Sequence, residues 1–241
     1  MNCNKRERLI FRVLILSFLI GGLASCVKSG SGSSTSGNVS FVTLMNMAPY
    51  SPSMELYFNN VKQTSSIGSG AYSSNYGQIP GGTYSVQFKK AGGDSVMSEL
   101  PSSLYDSLGF YTLVMYNSAD GLSAKSMKVT DDYSNLSLTQ ANYRFWNLCP
   151  DAGTVDLYIN TSVTHNGRSL GDNVNSSFYN SFQPITSGIY TITAKAAGKD
   201  STIATLSGVN LSAANAYTVF LQGSKNNTNN PIGLKVLLAT Y

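Results

Sequence analysis

Residues 167–171 form Gly-Arg-Ser-Leu-Gly and match the Gly-x-Ser-x-Gly spacing of a hydrolase nucleophile elbow. The one histidine of the chain, His165, stands two residues before this motif. An elbow exposes its serine at a strand-turn-helix junction, and its histidine base comes much later in the chain. Neither a helical pattern nor a histidine comes after the motif here. We therefore predict no serine hydrolysis at Ser169 and a solvated loop position for His165.

The sequence offers few side chains that could ligate a metal ion. One histidine and the thiol of Cys149 cannot build a conventional zinc site. Asp151 and Asp156, together with loop carbonyls, have the oxygen chemistry of a calcium site. The alternative, which we favour, is that Asp151 caps a Pro-Asp turn and Asp156 lies at a strand edge. We expect no metal and no cofactor, and we interpret the pair Asp131-Asp132 as a solvated linker.

Aromatic side chains in the expected loops are the remaining candidates for ligand contact, because rings stack on sugars and pack against partner proteins. The alternative is that loop tyrosines close the ends of a folded domain. The candidates are Tyr50, Tyr72, Tyr76, Tyr105 and Tyr179, the last of them preceded by Phe178.

Three serines that follow an aspartate resemble acceptors of a general O-glycosylation system of some Gram-negative envelopes. They are Ser95, Ser107 and Ser201. An Asp-Ser turn explains the same residues without any sugar. Mass spectrometry of the native protein separates the two explanations.

The N-terminus carries the strongest motif of the chain. Basic residues precede Val13–Ala24, which has 12 residues without a charge. A bilayer span needs about 20 apolar residues, so this stretch fits a signal peptide instead. Leu23-Ala24-Ser25-Cys26 then resembles the lipobox of bacterial lipoproteins, whose cysteine is acylated after cleavage. We predict a signal peptide over residues 1–25 and palmitate-type lipids on Cys26. The alternative is an ordinary signal peptide with an unrelated cysteine.

Residues 26–38 are rich in Ser, Gly and Thr and are predicted to form a flexible tether with a reach of about 20 Å. The residue after the cysteine is Val27, not the aspartate that retains lipoproteins in the inner membrane. We therefore expect anchoring in the outer membrane, with the surface or periplasmic face left open. Cys149 is the one remaining thiol of the mature chain, and its apolar neighbours favour a small buried residue over a reactive one.

Composition indicates an all-β protein that does not bind nucleic acid. Of the 241 residues 42% are hydrophobic and 12% charged, with 22 glycines and 15 tyrosines. Strand and turn formers therefore dominate. Loss of residues 1–25 removes four of the 16 basic and one of the 12 acidic residues, so the mature chain carries 12 basic and 11 acidic residues. No basic face remains for a nucleic acid.

The folded part repeats itself after about 100 residues. Residues 46–49 match 147–150 at an offset of 101, and 91–95 match 197–201 at an offset of 106. The change of offset places five extra residues in the first long loop of the second copy. Alternation in segments such as Thr83–Phe88, with turn glycines just before them, predicts short strands. The fold class predicted is two tandem Ig-like antiparallel β-sandwiches over 39–135 and 142–241.

This order of motifs resembles the domain of unknown function 4397 of bacterial envelope proteins, which often occurs in tandem. The motifs are Asn-x-x-Pro, an acidic-Leu-Tyr-x-Asn strand and a later Gly-x-Tyr strand. The segment 149–158 is the closer copy, whereas the first copy departs at Tyr50 and Glu55. The resemblance covers nearly all of residues 39–241 and brings no assigned catalytic residues.

We expect a lipid-anchored envelope protein that is not an enzyme and has a binding or structural role. Its partners are then the membrane, through the anchor, and an envelope protein or a glycan. A hydrolase of extracellular polymers is the rival hypothesis. It needs paired carboxylates, yet Glu55 and Asp156 are equivalent residues of separate copies. A pure spacer is the third hypothesis.

The predicted acylation of Cys26 can be tested directly. In a Gram-negative host the full chain should incorporate labelled palmitate and sediment with membranes, and Cys26→Ala should lose both properties because the acylated thiol is gone. Cys149→Ala serves as the matched control and should keep the label. Palmitate retained by Cys26→Ala contradicts the prediction.

Overall fold

The computed structural model describes residues 38–240; Cys26 and the predicted signal peptide lie outside the described residues, as does the predicted tether up to residue 37. No helix within the described range has the length and apolar character needed to cross a membrane. The first eight strands are β1 (Val39–Met47), β2 (Met54–Phe58), β3 (Val61–Lys62), β4 (Gly77–Pro80), β5 (Gly82–Lys90), β6 (Val96–Tyr105), β7 (Phe110–Asn117) and β8 (Ala124–Asp131).

The second half repeats the first, with two short 3-10 helices added. Its elements are β9 (Ala141–Asn147), β10 (Val155–Ile159), β11 (Ser162–Arg168), η1 (Asp172–Val174), η2 (Ser177–Asn180), β12 (Gln183–Ile185), β13 (Gly188–Ala196), β14 (Thr202–Leu211), β15 (Ala216–Gln222) and β16 (Gly233–Leu238). The two 3-10 helices lie in the long loop where the change of offset predicts extra residues.

Each half is a sandwich of two four-stranded sheets with the same strand order. The first sandwich has sheet I, ordered β4-β1-β7-β8, and sheet II, ordered β3-β2-β5-β6. The second has sheet III, ordered β12-β9-β15-β16, and sheet IV, ordered β11-β10-β13-β14. The predicted all-β fold of two sandwiches is confirmed.

The sheets are mainly antiparallel, as predicted, and each sandwich has one parallel pair of strands. Strand β1 runs parallel to β7, and β9 runs parallel to β15. In each copy the first strand lies in the middle of its sheet. Its neighbours are a short antiparallel strand on one side and the parallel strand on the other. Parallel pairs are usually covered on both faces. Residues 110–116 are apolar on both faces in the sequence, and β7 is indeed almost fully buried.

Three apolar clusters hold these sheets together. One fills each sandwich, and the third lies between the sandwiches, where sheet I faces sheet III. The buried members of this third cluster are Met45, Met47, Val114, Met127, Val129, Trp146, Leu148, Phe220 and Leu237. The described residues 38–240 accordingly belong to one compact unit, with the sheets stacked in the order II, I, III, IV.

A buried ion pair crosses the junction of the sandwiches. Arg144 Nη2 lies 2.5 Å from Asp131 Oδ1, and both side chains are almost completely inaccessible to solvent. Thr112 and Tyr76 donate hydrogen bonds to the other carboxylate oxygen at 2.6 and 2.8 Å, and Arg144 Nε donates to Thr218 Oγ1 at 2.9 Å. The interpretation of Asp131 as a solvated linker residue is wrong, because the packing of sheet I on sheet III encloses it.

Loss of one partner of this pair should be costly. We expect Arg144→Met to lower the free energy of unfolding by about 3–5 kcal/mol, because an unpaired carboxylate is left buried. The double variant Asp131→Asn with Arg144→Met should lose less than Arg144→Met alone, since the buried charge is removed. Urea unfolding measures both. A loss below about 1 kcal/mol for the single variant, the value typical of exposed pairs, contradicts the expectation.

Candidate functional site

The candidate contact tyrosines of the first sandwich fill structural positions. Tyr105 is fully buried at the end of β6, so the prediction that it lies in a loop is wrong. The ring of Tyr72 packs edge-on against Phe220 with centroids 5.5 Å apart, in the junction cluster. Tyr76 belongs to the hydrogen-bond network of Asp131, and burial raises the pKa of its hydroxyl. These rings close the ends and the junction of the sandwiches.

The two other candidate tyrosines are more accessible. Tyr50 is 44% exposed, and its hydroxyl lies 2.6 Å from that of Ser224 in the second sandwich. Tyr179, in η2, presents its ring to the guanidinium of Arg168 at 4.0 Å from the ring centroid. Both side chains already have partners within the protein, and neither lines the cleft that opens between β3 and β4.

His165 lies in a strand, so the prediction of a solvated loop position is wrong. Its ring packs against those of Tyr143 and Phe145, with centroids 5.5 and 5.9 Å away. Burial, helped by the charge of Arg168, lowers the pKa of His165 to about 4. The imidazole is therefore neutral at pH 7 and is part of a packed cluster.

The elbow-like serine lacks the predicted context of a nucleophile. Ser169 comes directly after β11 and is exposed, while its backbone N–H donates to the Asp172 carboxylate at 3.0 Å. The same carboxylate holds Arg168 through two hydrogen bonds of 2.7 Å. The chain continues from Ser169 into a three-residue 3-10 turn, not into the helix of an elbow.

The acidic candidates act as acceptors for backbone and side-chain donors. Asp156 accepts hydrogen bonds from the N–H groups of Gly167 and Gly198 at 2.7 and 2.9 Å. Asp151 accepts from Ser224 Oγ at 2.7 Å and from the N–H of Lys225. Within residues 38–240 no three His, Cys, Asp or Glu side chains are grouped as a metal site requires.

Glu55 occupies the place of Asp156 in the first copy, bound to Lys62 Nζ at 2.8 Å and to the N–H of Gly92. The two acids therefore hold equivalent turns of separate sandwiches.

Cys149 and the three candidate glycosylation serines differ in access. Cys149 is fully buried, as predicted, and burial raises the pKa of its thiol to about 12. Ser95, Ser107 and Ser201 all lie in exposed turns between strands. Their modification stays a prediction.

An open cleft lies along one edge of the first sandwich, between β3 and β4. This edge cleft has a volume of about 440 Å³ and reaches the core. It exists because β3 pairs over two residues only, Val61–Lys62, whereas the equivalent β11 runs for seven. The shorter strand leaves the gap between sheets I and II uncovered.

The lining of the edge cleft has an apolar floor and an uncharged polar rim. The floor consists of Val42, Leu44, Leu56, Phe58, Ile67 and Ile79. The rim consists of Gln63, Thr64, Ser65, Ser73, Asn75, Gly77 and Gln78. Sites for small ligands are commonly of this size and combine an apolar wall with a few polar groups.

Four cleft residues are smaller than their counterparts in the second sandwich. The matched pairs are Val42 and Tyr143, Leu44 and Phe145, Thr64 and His165, and Ile67 and Arg168. The strand register supports the alignment, because Ile67 pairs with Met54 as Arg168 pairs with Val155. In the second copy the larger side chains pack on one another in the corresponding place.

The edge cleft is not among the sites predicted from the sequence, although the repeat contains a signal for it. The repeat offset of 101 pairs small side chains of the first copy with rings of the second. Such a difference in volume at aligned core positions indicates either a void or a compensating neighbour. Only the structure shows that no neighbour compensates at this edge.

Comparison with known proteins gives one family. Residues 40–158 match the family model described as Domain of unknown function (DUF4397). The match covers β1 to β8 and continues to β10, so it is shorter than the expected 39–241. No curated protein matches the chain.

The half-buried His165 makes the stability of the fold depend on pH. The pKa of His165 is about 4 in the folded protein and 6.5 in the unfolded chain. As the pH falls, the unfolded chain therefore binds a proton at this histidine before the folded protein does. The contribution of neutral His165 to the free energy of unfolding is therefore complete above pH 6.5. It is lost progressively as the pH falls to 4. Urea unfolding at pH 7 and 4.5 should show a smaller difference for His165→Gln than for the natural chain. An equal difference in the two proteins contradicts the assignment.

Proposed function

This chain carries a domain of the DUF4397 family, and from that premise we propose that it is a non-catalytic binding protein of the bacterial envelope. The proposed binding site is the edge cleft of the first sandwich. The observation that carries the proposal is that one of two duplicated sandwiches is open at a place where the other is filled by Tyr143, Phe145 and His165.

The cleft fits an uncharged amphiphile. Its floor is apolar and lies between two sheets, which pack about 10 Å apart, so the space accepts a narrow aliphatic chain. No charged side chain lines it. A charged group that entered would therefore lose hydration without gaining a counter-ion. The amides of Gln63, Asn75 and Gln78 are suited to hydroxyl or amide groups at the head of the ligand.

Binding rather than catalysis is supported by the state of the candidate reactive groups. His165 is packed among rings, Cys149 is buried with a raised thiol pKa, and Asp156 is hydrogen-bonded to two backbone N–H groups. None of the three lines the edge cleft. A hydrolase would instead need an acid or a base at its ligand.

The location we propose is the outer membrane, through lipids on Cys26. The basic start, the short apolar stretch and the lipobox-like residues 23–26 support it. Treatment of intact cells with a protease tests which face carries the protein, with a periplasmic protein as control. Loss of this protein alone places it on the surface, whereas protection until the envelope is broken places it inside.

The edge cleft gives a direct binding prediction. Residues 27–241 should bind the neutral dye Nile red, and a monoacylglycerol should displace it, because its chain replaces the dye between the sheets. The variant Val42→Tyr, Leu44→Phe, Thr64→His introduces the side chains of the second copy. We expect it to lose about tenfold or more in affinity, since little apolar surface remains for the chain to contact. Dye fluorescence measures both proteins.

Controls separate a filled cleft from a damaged fold. The triple variant should keep or raise the thermal midpoint of unfolding, because it fills a void. Val96→Tyr, a bulky change at an exposed site away from the cleft, should leave dye binding unchanged. Unchanged binding by a folded triple variant would falsify the assignment of the cleft. Displacement by maltose but not by monoacylglycerol would replace the amphiphile with a glycan.

A further inference from the structure

The inner strands of the two sandwiches end on the same side of the molecule. The loops after β1 and β15 meet, since Tyr50 and Ser224 share a hydrogen bond and Asn227 Nδ2 donates to the carbonyl of Pro49 at 2.6 Å. Strands β7 and β9 run parallel to β1 and β15 respectively. The starts of all four strands therefore lie together at the opposite end of the molecule, which we call the tether end.

The predicted tether arrives at this end. Asn38 directly precedes β1, and its carbonyl accepts a hydrogen bond from the N–H of Gly81 at the end of β4. Eleven residues, 27–37, lie between Asn38 and the predicted acylated Cys26. A flexible segment of that length reaches about 20 Å. The tether end is thus the part of the fold that the proposed anchor keeps nearest to the bilayer.

Leu108, in the turn between β6 and β7, is an unusual residue at the tether end. Its N–H donates to the carbonyl of Val39 at 2.7 Å, which places it beside the first residue of β1. Its φ is 60°, a left-handed conformation that disfavours bulky side chains, and its side chain is 68% exposed. The equivalent turn of the second copy has φ 60° at Ala214. Neither the strain nor the exposure of a leucine here helps the fold.

Other exposed apolar side chains share this end. Leu138, 78% exposed, lies in the connection from β8 to β9, whose start is at the tether end. Leu104 and Ile189 lie one residue from the ends of β6 and β13 and are 56% and 73% exposed. The second copy has Asn210 in place of Leu104. Exposed apolar side chains that gather on one surface mark interaction sites, whereas single ones are common on any protein.

The edge cleft extends toward the same end. A side opening of about 240 Å³ shares Phe58, Gln63 and Ile79 with the cleft and continues to Pro80, next to the tether attachment. Val61, 62% exposed, stands at this opening.

We infer that the tether end rests on a lipid bilayer, with Leu108 and Leu138 inserted among the acyl chains. The mature chain is close to neutral, so burial of these side chains, not charge, provides the attraction. In this orientation the side opening of the edge cleft faces the source of amphiphiles. The inference rests on the proposed lipid anchor, but it does not depend on what the cleft binds.

The test places a fluorescent reporter at either end of the molecule. Residues 27–241, which include all four sheets and all three apolar clusters, are held on phosphatidylcholine vesicles by an N-terminal histidine tag and a nickel-chelating lipid. The dye NBD is attached to Leu108→Cys or Leu138→Cys, and as matched control to Leu122→Cys. Leu122 is 87% exposed in the turn after β7, at the far end. Buried Cys149 should stay unlabelled.

We expect NBD at 108 and 138 to gain about twofold or more in emission on vesicles and to be quenched by doxyl lipids, because the dye moves into an apolar medium. NBD at 122 should not respond. Equal responses at 108 and 122, or none at 108 and 138, overturn the inference. Because the tag replaces the lipid anchor and no cleft ligand is present, neither result depends on Cys26 or on dye binding in the cleft.

A substitution at the same turn tests the Leu108 side chain itself, with the dye attached at another position. Leu108→Asn should keep or raise the thermal midpoint of unfolding, since asparagine accepts the left-handed conformation. With the reporter at Leu138→Cys, the same substitution should reduce the emission gain on vesicles. An undiminished gain at 138 in this stable variant counts against insertion of Leu108.

Discussion

Burial of sheets I and III on both faces is the constraint on which the rest of this protein depends. Each sheet covers the core of its own sandwich on one side and the other sandwich on the second side. The inner strands are accordingly almost fully buried. The ion pair of Asp131 and Arg144 is enclosed there, so both side chains must find their hydrogen-bond partners locally. The junction joins the two repeats into one body. The surfaces that remain open to a ligand or partner are the outer sheets, the sheet edges and the ends of the sandwiches.

Duplication then allowed the two sandwiches to differ without loss of the shared architecture. The second copy fills its edge with rings and a long β11, whereas the first keeps a short β3 and small side chains. An unfilled edge lowers stability, and the junction with the filled copy offsets that loss. A ligand site in one copy is therefore compatible with a stable whole.

Much of the fold can be predicted from sequence, and most of the site cannot. Alternation and the repeat offsets predict the strands and the two sandwiches, because side-chain period and turn residues are local properties. The predictions for Asp131, Tyr105 and His165 are wrong because their burial depends on which elements pack over them, a long-range property. The edge cleft escapes prediction for the same reason: it depends on the length of β3, and Val61–Lys62 is too short to have a periodic signal.

The shared junction also has a consequence for how the protein is made. A chain synthesised from its N-terminus completes the first sandwich before the second, and domains generally fold in that order. Until β9 and β15 emerge, the outer face of sheet I exposes Met45, Met47 and Val114 to water. The half-synthesised molecule is then a folded domain with an uncovered apolar side. Completion of the second repeat must therefore be fast relative to aggregation, or a chaperone must cover that face until the second repeat arrives.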